Sequence, residues 1–255
     1  MIKLTRPEKP KELTDEVVSE LTKEFIETKK SVWKLKYIED ALLKSSHEKC
    51  CYCECKLDIE SKYMEVEHYF DKSKNPDKVL EWKNLLPSCK RCNGKKSDHD
   101  TVLAPIINPY SMNPKEHLSF FSYRLRPETK IGETTIDLLD LNNSKKVVMA
   151  RFEVAEAIHN QINLLYHSTL EYFEGKQQSP RRRNRIVSAA NNILMEAGPS
   201  EEYCATISTE ILHSIQFSKI KEMLADLHLW DEELTTLYDS IRENALNLHI
   251  SKIIA

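Results

Sequence analysis

The chain has 255 residues, a formal net charge of −3 and only four glycines. The length suffices for one large or two modest domains, and the charge excludes a global polyanion binder, so any nucleic-acid contact must come from local basic clusters. Gly94, Gly132, Gly175 and Gly198 are too few for a Rossmann or phosphate-loop architecture, and low glycine with abundant Leu, Glu, Lys and Asn favours helix.

Residues 1–10 form a basic, proline-flanked arm. Its start, MIKLTRPEKPKEL, lacks the apolar core of a signal peptide, and no run approaches the roughly 18 apolar residues of a membrane span. A cytoplasmic protein without a membrane segment is expected.

Residues 12–46 read as helix in two stretches. Val17, Val18, Leu21, Phe25 and Ile26 lie near helical spacing, with Thr14 or Asp15 as N-cap. Val32, Trp33, Leu35, Ile38, Leu42 and Leu43 follow.

A cysteine-rich module spans about 47–100. Tyr63 to Phe70 alternates around Met64, Val66 and His68 and predicts a short strand. Asn75-Pro76-Asp77 marks a turn, and Lys90 to Lys96 opens a short helix. Beyond it, Pro105, Asn108-Pro109 and Asn113-Pro114 predict an ordered connector, with a strand over Leu118 to Arg126.

From about Glu133 the chain turns helical. Lys145 to Glu174 puts Val148, Phe152, Ala155, Ile158, Ile162 and Leu165 on one face. Further helices are expected over Arg181 to Glu196, Glu201 to Ser214 and Glu232 to Leu248, with a stop at Ala197-Gly198-Pro199-Ser200. The apolar faces around Leu224, Leu227, Trp230, Leu234, Leu237, Tyr238 and Ile241 read as core. The expected fold is α+β, mostly α, in three segments: 1–46 arm and helices, 47–130 cysteine module and connector, 131–255 helical domain.

Six of the seven cysteines fall between residues 50 and 92, and four of those form C-x-x-C pairs. Without a signal peptide this favours reduced thiolates on a metal over disulfides. C-x-x-C lets two sulfurs of one knuckle reach one ion, so Cys50, Cys53, Cys89 and Cys92 are assigned to a closed, structural zinc. Cys51 and Cys55 form a wider pair and read as spare thiols, and Cys204 reads as a small buried side chain. A four-cysteine zinc has no open position for water, and 35 residues separate Cys53 from Cys89, so something else is built inside the loop.

Within that loop, EVEHY followed by WKNLLPSCKRCN resembles an HNH endonuclease of the ββα-metal type with a supporting zinc. In that family a His ends a strand, an Asn lies in the following loop, and the last residue sits on the helix after the second cysteine pair. His68, Asn84 and Asn93 match those positions in order, and Glu67 matches the acidic residue before the His. Glu stands where Asp is more frequent, and Asn where His is commonest, which favours a harder metal.

The resemblance implies phosphodiester hydrolysis. His68 is suited to take a proton from water near neutral pH. Glu67 and the Asn93 side-chain oxygen are hard ligands for one Mg²⁺ or Mn²⁺. Asn84 holds the loop and orients His68. Glu67 and His68, as neighbours on a regular strand, point to opposite faces, so both reach one phosphate only where the strand ends or bulges. Lys90, Arg91, Lys95 and Lys96 are assigned to backbone phosphates, DNA in preference to RNA. Asp98-His99-Asp100 reads as a loop.

The wider layout (IKLTRPEKP, CYCE, EVEHY, NLLPSCKRCN-x-x-K and INPYSMNPKEHLSF) resembles the HNH nuclease of Septu-type and retron-linked anti-phage systems over about the first 150 residues. In those systems the nuclease works beside an ABC/SMC-like ATPase. The implied role of the helical C-terminal half is docking to that ATPase. Arg181-Arg182-Arg183-Asn184-Arg185, placed at a helix start against the macrodipole, suggests an acidic partner or a nucleic-acid backbone. The competing expectation is a non-catalytic, zinc-stapled nucleic-acid-binding or adaptor protein.

Overall fold

The computed structural model describes residues 1–57 and 63–249. The chain divides into two compact units: 1–118 with 125–143, and 119–124 with the chain from Ser144 onward.

In the first unit, α1 (Asp15–Thr28) starts at Thr14, whose side chain accepts from the Val17 amide. α2 (Lys36–Ser45) follows. β1 (Met64–His68) pairs antiparallel with β2 (Leu85–Cys89), placing Met64 opposite Cys89 and His68 opposite Leu85. α3 (Lys90–Lys96) begins directly at the end of β2. The core of this unit joins Leu13, Phe25, Trp33, Ile38 and Leu42 of the N-terminal segment to Val66, Val79, Leu80 and Leu85. The N-terminal helices therefore share a core with the cysteine module and do not stand apart at residue 46.

β2 is a strand that periodicity does not reveal, because Leu85-Leu86-Pro87 reads as a run broken by proline. Pro87 is tolerated because its free edge needs only an acceptor: its carbonyl takes the Cys51 amide at 3.0 Å. The connector leads to β3 (Leu118–Phe121) and β4 (Arg124–Pro127), two strands where one was expected. α4 (Lys130–Leu138) belongs to the first unit, not to the helical domain expected from 131. Its Thr135 hydroxyl accepts the Ile107 amide at 2.8 Å.

In the second unit, a π-helical turn at Ser144–Val148 runs into α5 (Met149–Phe173). α6 (Pro180–Met195), α7 (Cys204–Leu212), α8 (Ile215–Asp226) and α9 (Glu232–Asn244) pack around Ile158, Ile162, Ile193, Phe217, Leu224, Leu234 and Ile241. The faces around Trp230, Leu237 and Tyr238 pack against the same core. Phe152, expected on the buried face of α5, is 37% exposed and packs edge-on against Tyr123. α8 is an additional helix, capped by Ser214. α9 stops at Asn244, and Asn247–Leu248, expected as helix, form β5, parallel to Ser119 and Phe120 of β3. No helix among the described residues is long and apolar enough to cross a membrane.

Candidate metal centre and active site

The sulfurs of Cys50, Cys53, Cys89 and Cys92 lie within 4.8 Å of one another, and all four residues are buried. Cys53 Sγ is 3.7 Å from Cys89 Sγ. The donors fit a zinc ion: four converging thiols, with amide and guanidinium hydrogens turned toward them. The Cys92 amide donates to Cys89 Sγ at 3.4 Å, and Arg91 Nη2 donates to Cys92 Sγ at 3.5 Å. None of the seven cysteines is in a disulfide. Cys51 lies outside the quartet; burial, then the charge of Cys50, pushes its thiol pKa well up. Cys55 is half-buried beside the quartet, and its pKa is raised first by its contact with Cys50.

The two faces of β1 have different partners. Met64, Val66 and His68 face the core under α1 and α2. Glu65 and Glu67 face α3. His68 is 4% exposed and meets Trp33 edge-on with ring centroids 4.7 Å apart. Its Nε2 is 3.0 Å from the Val79 carbonyl oxygen. A carbonyl only accepts, so Nε2 carries the proton and Nδ1 keeps its lone pair. Burial, then the charge of Lys72, pushes the His68 pKa down to about 4, so the ring is neutral near pH 7.

Asn84 is buried. Its Oδ1 accepts the Phe70 amide at 2.6 Å, and its Nδ2 donates to the carbonyls of Phe70 and Lys78 at 3.2 and 3.0 Å. It thus clamps both ends of the loop that brings Val79 to His68.

Glu67 is 2% exposed, and its Oε1 lies 2.6 Å from Lys96 Nζ. Burial raises its pKa to about 7 against the lowering effect of Lys96. Asn93 Nδ2 donates to Glu65 Oε2 at 2.5 Å. β1 is paired regularly through His68, so Glu67 and His68 leave it on opposite sides. Glu67 and Asn93 share the α3 side with Glu65 and Lys96.

Of the four residues assigned to phosphates, Lys90 is exposed. Lys95 is 3.3 Å from Asp140. Arg91 and Lys96 have internal partners instead. Arg91 Nη1 donates to the carbonyls of Leu139 and Asp140 at 3.1 and 3.2 Å. Lys96 is fully buried. Sequence reasoning did not find Glu65, although its place two residues before Glu67 on a strand puts both on one face. Trp33 and the Val79 carbonyl come from distant or backbone positions that carry no local signal.

Asp98-His99-Asp100 forms a turn: Asp100 accepts the Val102 and Leu103 amides, and His99 Nε2 bonds the Ala104 carbonyl. In the second unit Arg182 pairs with Glu171 at 2.7 Å, while Arg181, Arg183 and Arg185 are exposed.

No protein-family model matches the chain. It is 39% identical over 246 residues to the Septu protein PtuB of Bacillus thuringiensis, covering 96% of this chain and 95% of that protein. It is 26% identical over 233 residues to the Septu protein PtuB of Bacillus mycoides (strain KBAB4), covering 74% of this chain and 78% of that one.

Proposed function

Because the chain belongs to the family of the Septu protein PtuB, an anti-phage defence family, we propose that it is the nuclease of a defence complex, a metal-dependent HNH endonuclease that hydrolyses phosphodiester bonds, DNA in preference to RNA. The observation that carries this reading is the place of His68 at the end of β1, with β2 and α3 beside it. The imidazole at the end of β1 spends Nε2–H on the Val79 carbonyl and leaves Nδ1 as the acceptor; because regular pairing puts His68 and Glu67 on opposite sides, taking a proton from water beside the Glu67 and Asn93 ion requires the end of β1 to open. β1, β2 and α3 supply the two strands and helix of a ββα-metal module, and the cysteine quartet supports it with zinc.

In this reading Asn84 fixes the loop that orients His68 and does not touch the reacting atoms. Glu67 and Asn93 hold a Mg²⁺ or Mn²⁺ ion, which supplies positive charge against the phosphate and the leaving oxygen. Lys90 and Lys95 approach the backbone phosphates. An ABC/SMC-like ATPase is the partner, and the second unit, with its exposed Arg181, Arg183 and Arg185, is the surface offered to it.

A second reading, an adaptor whose zinc staples a scaffold, draws on the internal bonds of Glu67 to Lys96 and of Asn93 to Glu65. Phage-plaque assays separate the two. The nuclease reading expects His68→Ala, Asn93→Ala and Cys89→Ser each to abolish protection, with only the cysteine variant losing zinc. Protection that survives His68→Ala and Asn93→Ala but not Cys89→Ser supports the adaptor.

A further inference from the structure

Lys96 lies in the last turn of α3, with 1% of its side chain exposed. Its Nζ has two partners, Glu67 Oε1 at 2.6 Å and the His68 carbonyl oxygen at 2.7 Å. Both belong to the dipeptide that ends β1. Asn93, one turn earlier on the same side of α3, donates its amide hydrogens to Glu65, two residues back on the same face of β1. α3 therefore presents two donors to two carboxylates: a cation to Glu67 and an amide N–H to Glu65.

A carboxylate this deeply buried stays ionised only beside a positive charge. Here the Lys96 ammonium supplies that charge as an ion pair, while Oε1, the oxygen that the proposed function gives to a divalent ion, accepts no hydrogen bond of its own. A lysine is suited to such a temporary place. Its ammonium is compact, its stem has four rotatable carbons, and its three hydrogens can be redistributed among acceptors. The His68 carbonyl is a second acceptor that keeps the ammonium anchored when Glu67 is given up. An arginine fork would lock the carboxylate in place.

We propose that Lys96 is a built-in counter-cation: it neutralises Glu67 while no divalent ion is bound, and it competes with Mg²⁺ or Mn²⁺ for that carboxylate. This rests on the metal reading of Glu67 and Asn93 given above. Binding of the ion requires the Lys96 ammonium to leave Glu67 and the Asn93 side chain, whose Nδ2 now donates to Glu65, to present its Oδ1 to the ion. Lys96 is thus a positioning residue, and it sets how much divalent ion the protein needs.

The test is Mn²⁺ binding to the zinc-loaded full chain, read from the paramagnetic resonance of free Mn²⁺, for the wild type, Lys96→Met and Glu67→Gln. Removal of a like charge from beside the site is expected to tighten Mn²⁺ binding about tenfold in Lys96→Met. Unchanged or weaker binding, with wild-type circular dichroism and zinc content, overturns the inference. Should Lys96→Met fail to fold, Lys96→Arg decides: its fork holds the carboxylate more firmly and is expected to weaken Mn²⁺ binding severalfold. Unchanged or tighter Mn²⁺ binding in Lys96→Arg overturns the inference. A wild type whose Mn²⁺ binding does not respond to Glu67→Gln removes the metal reading itself, and the counter-cation falls with it.

Discussion

Arg91 on α3 donates from Nη1 to the main-chain oxygen of Leu139, 3.1 Å away at the end of α4. The same guanidinium reaches the Asp140 carbonyl and the sulfur of Cys92. Arg91 therefore ties the second cysteine knuckle to α4. Arg91→Met is expected to cost about 2 kcal/mol of stability in urea unfolding, since it removes charge-assisted bonds to the Leu139 and Asp140 carbonyls, the second of which keeps the Asn143 amide. The salt dependence of nucleic-acid binding should be unchanged. Lys90→Ala, at an exposed site, should do the reverse: unchanged stability and a salt slope shallower by about one ion.

The cysteine quartet predicts one zinc per chain. Cys89→Ser should release it and melt the first unit, because the knuckles share β2 and α3 with the core. Cys51→Ser should keep the full zinc content, since Cys51 lies outside the quartet. Metal analysis alongside thermal melts checks both, and zinc loss in Cys51→Ser would contradict the ligand assignment.

Asn84→Ala removes three hydrogen bonds to the ends of the loop from Phe70 to Lys78. The groups it leaves are part-buried, so the loss should be about 2 kcal/mol. Asn84→Asp preserves the acceptor for the Phe70 amide but not the donors, and it should fall between. Equal stability of all three proteins in urea would show that the loop is held by other means.

Folding changes the titration of His68 and Glu67 in opposite senses. The His68 pKa falls from 6.5 to about 4, so its contribution to stability is full above pH 6.5 and is lost as pH falls toward 4. The Glu67 pKa rises from 4.5 to about 7, so its contribution is full below pH 4.5 and is lost as pH rises through 7. The two partly offset one another in the wild type. His68→Gln removes one of them. Between pH 7 and pH 5 the wild type should lose about 2 kcal/mol more stability than His68→Gln. Parallel stability curves would mean that His68 is not held neutral by burial.

Local pattern made most of the helices legible, as did the two knuckles and β1. C-x-x-C is a short-range geometric demand, so Cys50, Cys53, Cys89 and Cys92 could be paired before any fold was known. Thr14 was legible as a cap for the same reason. Failures came from distant partners. β2 hides behind Pro87, whose place depends on the Cys51 amide. Asn247 and Leu248 leave the helical pattern because β3 lies alongside them. Lys96 looks like the solvated end of a basic helix, and its burial depends on Glu67 and the His68 carbonyl. The division at residue 46 fails similarly, because Trp33 and Ile38 complete the core under β1.

The most direct measurement is cleavage of plasmid DNA, with RNA in parallel, by the purified chain with Mn²⁺ or Mg²⁺ and the ATPase proposed as its partner, comparing wild type with His68→Ala. The account predicts cleavage by the wild type that chelation abolishes and that falls at least about a hundredfold in His68→Ala while zinc content stays intact. Equal products from the two proteins, or intact nucleic acid with both, would contradict it.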